Sequence, residues 1–169
     1  MAILPILTAP DPILKKRAQP VEEVTDDIRT LLDDMVETMY DAPGIGLAAP
    51  QVGVLQQIIV VDVTDEDEEP LAYKMINPEI TWSSDDLSIY EEGCLSVPQS
   101  YSEVERPAEI KVTYLDENGA AQELEADGLL ATCIQHEIDH LNGTLFIDHI
   151  SRIKRSIIMR KLTKMKKAG

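Results

Sequence analysis

Gln135 to His140 reads Gln-His-Glu-Ile-Asp-His, with two histidines four residues apart and a glutamate directly after the first. Four residues of α-helix turn about 400°, so His136 and His140 share a face, one turn apart, and can reach a single metal ion. On the same wheel, with His136 at zero, Glu137 falls near 100°, between Cys133 near 60° and an apolar arc of Leu130, Leu141 and Ile134 at about 120° to 160°. A carboxylate in such an arc is costly unless compensated, and burial raises its pKa. That suits a group which takes a proton from a metal-activated water and passes it on. The chemistry these residue types allow is metal-assisted hydrolysis.

Two imidazoles hold a catalytic metal poorly, so a third ligand is required. A histidine six residues after the second, as one class of proteases uses, is excluded because Phe146 stands there. Cys133 shares the face but lies seven residues from His140, about 10 Å of helix rise, and reads instead as a small buried residue lining the site. Cys94 remains, in Glu-Glu-Gly-Cys-Leu-Ser-Val-Pro. Gly93 lets the backbone approach closely and Pro98 stiffens the exit, so a thiolate is presented from a constrained extended segment. Two histidines and one thiolate leave a coordination position open for water. Gly44 to Gly53, Gly-Ile-Gly-Leu-Ala-Ala-Pro-Gln-Val-Gly, superficially suggests a phosphate loop. Ala49 replaces the third glycine, however, and the segment lies between a helix and a strand, the reverse of the order such a loop needs. Its glycines suit backbone laid against a ligand, and Gln51 offers an amide donor to a carbonyl oxygen.

Several elements must position these residues. Thr25 to Tyr40 reads as a helix, capped by Thr25, with Asp26 and Asp27 in its first turn, Ile28, Leu31, Leu32, Met35 and Met39 at helical spacing, and Pro43 and Gly44 as its end. Gln56 to Val63, Leu71 to Ile76 and Glu109 to Asp116 read as strands, and Asn118-Gly119 as a hairpin signal leading to Ala120 to Ala126. The histidine helix runs from Asp127, a plausible cap, to Asn142, with Gly143 as its stop. A third helix carries Ile153, Ile157, Ile158, Leu162 and Met165 as one apolar stripe. Strands in hairpins around one buried helix give an α+β fold. Asp65 to Glu69 is an exposed acidic loop.

The chain has 169 residues, enough for one domain, 1–169, with a real core. Its N-terminus lacks a basic leader, and no stretch approaches a membrane span, so a cytoplasmic protein is expected, with Cys94 and Cys133 as thiols or metal ligands. The net charge of -16 is unevenly spread: residues 151–169 hold eight bases and no acid, leaving 7 bases against 31 acids elsewhere. An acidic body repels nucleic acid, whereas the tail either docks on a polyanion or is a solvated helix that offsets the body.

Three segments, Gly-Ile-Gly-Leu-Ala-Ala-Pro-Gln, Glu-Gly-Cys-Leu-Ser-Val-Pro and Gln-His-Glu-Ile-Asp-His-Leu-Asn-Gly, in this order, closely resemble the signature motifs of peptide deformylases. The resemblance extends from Pro10 to the basic terminal helix and is nearest the bacterial type that keeps this helix. It implies antiparallel sheets wrapped around a central H-E-x-x-H helix, with an N-terminal and a C-terminal helix. It implies Cys94, His136 and His140 as metal ligands, Glu137 as general acid/base, and Gln51 with the Leu95 N–H polarising the substrate carbonyl. Ile45 and Gly46 would border the substrate backbone, and Ile45, Tyr90, Leu129, Thr132 and Cys133 would form a methionine pocket. The reaction implied is removal of the N-formyl group from the initiator methionine of nascent peptides, metal-bound water attacking the formyl carbon and formate leaving. Fe²⁺ is the ion implied physiologically, although the ligand set also suits Zn²⁺, and preparations can hold Zn²⁺ or Ni²⁺. Docking of the basic helix near the ribosomal exit tunnel is also implied, and a monomer is expected. Gln99, Tyr101 and His149 depart from the family pattern. His149 reads as lying outside the site, and how the peptide is held beyond methionine is left open at Gln99 and Tyr101.

Two rival readings share the motif. A general zinc peptidase would cleave unformylated peptides, and a silent metal-binding module docked on the ribosome would need neither Glu137 nor Gln51.

Overall fold

The computed structural model describes residues 2–168. Helix α1 (Asp26–Asp41) starts where the sequence predicts, with Thr25 Oγ1 accepting from the Ile28 N–H at 3.4 Å. The strands follow as β1 (Gly46–Ala48), β2 (Ile58–Val61), β3 (Tyr73–Ser83), β4 (Leu87–Cys94), β5 (Val97–Pro107), β6 (Glu109–Leu115) and β7 (Ala121–Asp127). Helices α2 (Gly128–Leu141) and α3 (Arg152–Ala168) complete the order. All strand pairings are antiparallel: β1-β2-β3-β6-β7 form one sheet, and β4-β5 a separate hairpin. The architecture is α+β, as expected.

Strand β2 shows why the sheet lies where it does. Its four residues are all buried, and they alternate between two covers. Ile58 and Val60 pack with Leu32, Met35 and Met39 of α1, while Ile59 and Val61 pack with Ala131 and Ile134 of α2. An apolar run without polar alternation is what a strand covered on both faces requires. On its far side α2 meets β4 and β5, so this helix lies between the large sheet and the hairpin.

The expected strands are present with shifted ends, and among the described residues three strands are additional to those predicted: β1, β4 and β5. The predicted strand at Leu71 begins at Tyr73 and continues through Pro78 to Ser83, with register shifts against β6 on the way. Asn118 and Gly119 lie in the connection between β6 and β7, where the Asp116 carboxylate accepts from the Asn118 and Ala120 amides at 2.9 and 3.0 Å. Asp127 stands at the cap position of α2 but makes no side-chain cap bond. The strand-to-helix turn is made instead by Gly128 at φ +56, a conformation natural to glycine.

The apolar stripe of α3 is two faces, not one. Leu162 is 2% exposed and packs, with Ile158 and Met165, onto Val97, Val104 and Phe146, whereas Ile153 and Ile157 are 75% and 59% exposed. Helical geometry accounts for the split: Ile158, Leu162 and Met165 fall within about 60° of each other, and Ile153 and Ile157 lie roughly 80° or more away from them.

Strand β5 carries an irregularity. Its register shifts between Gly93↔Tyr101 and Cys94↔Val97, so Pro98, Gln99 and Ser100 bulge over one step of β4. Gln99 takes φ +61, a left-handed geometry that costs a side-chain-bearing residue about 1–2 kcal/mol.

Candidate active site

Helix α2 delivers His136, Glu137 and His140, and the tight turn from β4 to β5 delivers Cys94. The Cys94 thiol and one ring nitrogen from each histidine lie within 4.8 Å of one another, and this set could hold a metal ion. Cys94 Sγ is 3.3 Å from His140 Nε2. His136 Nδ1 is engaged by Glu92 Oε1 at 2.9 Å, which fixes the ring and leaves its other nitrogen toward the cluster.

The chemistry of these donors fits a divalent transition metal. Burial pushes the His140 imidazole well below its ordinary pKa, so its ring is neutral and has a lone pair to offer. Glu137 is 2% exposed, and its Oε1 has no hydrogen-bond partner although it lies 3.8 Å from His140 Nε2. Burial, more than any neighbouring charge, raises its pKa to about 7. An orphaned carboxylate oxygen beside two imidazoles and a thiol is the arrangement a cation or its water would satisfy. Cys133 stays apart from the cluster: its Sγ donates to the Ile45 carbonyl at 3.4 Å, and burial holds its thiol protonated.

The cluster opens onto a cavity of about 690 Å³. Ile45, Gly46, Tyr90, Cys94, Leu95, Leu129, Thr132, Cys133, His136 and Glu137 all line it, so nearly every residue singled out from the sequence is brought to one place. Gly46 admits no larger residue without displacement, since a Cβ there would lie 2.6 Å from Glu137 Oε2 and 2.8 Å from Cys133 Sγ. Gln51 and His140 are buried behind the wall. Gln51 Nε2 donates to Ser96 Oγ at 3.0 Å and reaches Cys94 Sγ at 3.4 Å, while its Oε1 accepts from the Ala48 N–H at 2.9 Å.

Sequence reasoning misses the residues behind His136. Arg106 grips Glu92 through two bonds of 2.7 and 2.9 Å and reaches Asp139 at 2.8 Å; Asp139 in turn meets His149 Nε2 at 2.8 Å. His149 thus lies outside the metal cluster but at the outer end of a polar chain leading to it. Although burial works against it, bonds from His136 and Arg106 hold Glu92 below the usual carboxylate range. One signal is available: Arg106 is the only Lys or Arg between Lys74 and Lys111.

The family model for polypeptide deformylase matches residues 3–156 of this sequence. The chain belongs to the polypeptide deformylase family. A peptide deformylase of Cellvibrio japonicus is 59% identical over 169 residues, covering 100% of this chain and 99% of the relative. That of Rhizobium meliloti is 58% identical over 167 residues, covering 99% and 96%. Among solved structures, the Ehrlichia chaffeensis deformylase in complex with actinonin superposes with a TM-score of 0.94 at 45% identity, covering 98% of each chain. The Legionella pneumophila deformylase gives 0.91 at 47%, covering 99% of this chain and 97% of the other. Members of this family are hydrolases, and deformylation of nascent peptides is the family's function.

Proposed function

We propose that the cavity removes the formyl group from N-formylmethionyl peptides, with Cys94, His136 and His140 as metal ligands and Glu137 as general acid/base. The observation that carries this is the convergence of three donor atoms within 4.8 Å beside a buried carboxylate with an unpartnered oxygen. A divalent ion held there would supply Lewis acidity, lowering the pKa of a water and polarising the formyl carbonyl. Glu137 takes the proton of the attacking water and passes it to the amine nitrogen as the carbon–nitrogen bond breaks and formate leaves. The Leu95 N–H and the Gln51 carboxamide serve the oxygen on which negative charge develops.

Ile45, Tyr90, Leu129, Thr132 and Cys133 would receive the methionine side chain, and Ile45 and Gly46 would flank the peptide backbone. A formyl carbon carries only hydrogen, so a site this closely packed against Glu137 accepts it and rejects an internal peptide bond. Fe²⁺ is the ion we expect in the cell, on the family resemblance, and Zn²⁺ or Ni²⁺ would suit the same donors. We read 1–169 as one domain acting as a cytoplasmic monomer, with the donor cluster and the cavity built from its own residues. The exposed bases of α3 are assigned to the ribosome near the tunnel exit.

The test is formate release from a formyl-Met tripeptide by protein purified without oxygen and loaded with Fe²⁺, beside Glu137→Ala. Release that the variant loses by about 10²- to 10⁴-fold, with its metal retained, is the expected result. Metal binding without formate from either protein, together with cleavage of an unformylated peptide by the parent, would replace this reading with a peptidase.

A further inference from the structure

Lys161 belongs to the basic tail by sequence, yet its Nζ donates to the Gln99 carbonyl at 2.8 Å. Gln99 is the centre of the β5 bulge and holds a left-handed backbone that residues with a side chain disfavour. The next residue, Leu162, is buried against Val97 and Val104, so the root of the lysine is anchored on the strand that it caps. Pro98, Gln99 and Tyr101 line the same cavity as His136 and Glu137, and Tyr101 is 66% exposed at its mouth.

Resting on the deformylase reading, we propose that Lys161 is a positioning residue that latches the Pro98–Tyr101 bulge in the form that receives the peptide beyond its first residue. The tail helix is then part of the substrate wall, packed on it through Leu162 and joined to the bulge by the Lys161 hydrogen bond. Loss of the ammonium frees Gln99 to relax to the right-handed or extended backbone that it prefers, and the wall moves. Glycine at 99 takes the left-handed form without that penalty and needs no latch.

The experiment compares KM and kcat of the iron-loaded parent, Lys161→Met, Gln99→Gly and the double variant, on formyl-Met amide and on a formyl-Met tetrapeptide. Lys161→Met is expected to raise the tetrapeptide KM about fivefold, the size of one ordinary hydrogen bond, leaving kcat and the formyl-Met amide KM unchanged. In the Gln99→Gly background the same substitution is expected to add nothing. An unchanged tetrapeptide KM, or the same rise in both backgrounds, overturns the latch. Amide hydrogen exchange at Ser100 and Tyr101 reads the bulge without turnover: faster exchange in Lys161→Met supports the latch, and equal rates overturn it. Absence of formate from the parent would sink the deformylase reading alone, and the exchange rates would still decide the latch.

Discussion

Glu137 and His136 are adjacent in sequence but titrate for different reasons. Burial raises the Glu137 carboxyl to about 7, whereas an unfolded glutamate titrates near 4.3, so the metal-free folded state holds this proton the more tightly. Its favourable contribution is therefore full below pH ~4.3 and is lost as pH rises through about 7. Glu137→Gln, which cannot ionise, should unfold later than the parent in chelator at pH 8, by about 1–3 kcal/mol, with the gap closing toward pH 5. Equal melting curves at both pH values would contradict this. For His136, burial works downward, but bonds to Cys94 and Glu92 win and hold the imidazole well above its ordinary pKa. An entering metal must displace that proton, so affinity should fall as the solution is acidified. Calorimetric titration in buffers of different ionisation enthalpy would show it as a buffer-dependent heat.

At the scale of elements, α2 and the β4–β5 hairpin meet through Arg106 of β5, which ties Glu92 of β4 to Asp139 of α2. The Arg106 and Glu92 side chains are 6% and 5% exposed. A buried pair of this kind adds little over an apolar replacement of both partners, but removing one partner strands the other's charge. Arg106→Met should thus cost about 3–5 kcal/mol of stability, read by denaturant unfolding of the metal-free protein. It should also weaken metal binding about 10- to 100-fold in a chelator competition, because Glu92 would no longer be held against His136. Unfolding at the parent's denaturant midpoint would remove this pair from the account of how the site is held.

Over the whole molecule, eight bases on the tail face a body in excess acid, and α3 joins the two. Deleting 151–169 is a poor probe of the tail's charge, since it also removes Leu162 from its cluster. Loss of such a side chain alone costs about 2–5 kcal/mol. Changing the exposed Arg152, Lys154, Arg160 and Lys164 to Gln keeps that anchor and spares the Lys161 bond. This variant should sediment less with ribosomes, show a shallower salt dependence, and turn over formyl-Met tripeptide at the parent's rate. Undiminished ribosome binding at low salt would refute a role for these bases.

Features written within one helix or one strand are legible in the amino-acid sequence alone: the face shared by His136 and His140, the burial of Glu137, the Thr25 cap, the helix α1. Periodicity reports on local geometry, and these features are local. The strands β4 and β5 are not legible, because charged and polar residues occupy much of both and proline bounds β5. The single stripe read on α3 fails for a related reason: apolar spacing marks which residues could pack, but only a neighbour decides which of them do. Cys94 is reached as a candidate ligand by elimination and resemblance, and its approach to His140 depends on the hairpin folding back across α2. Glu92, Arg106, Asp139 and His149 come from four separate stretches and carry no shared pattern. By itself the sequence determined the chemistry available, since residue type and helical spacing set which atoms can act together. Only the tertiary structure decided which distant groups hold and orient them, because hydrogen bonds between remote segments exist only once burial has paired those segments.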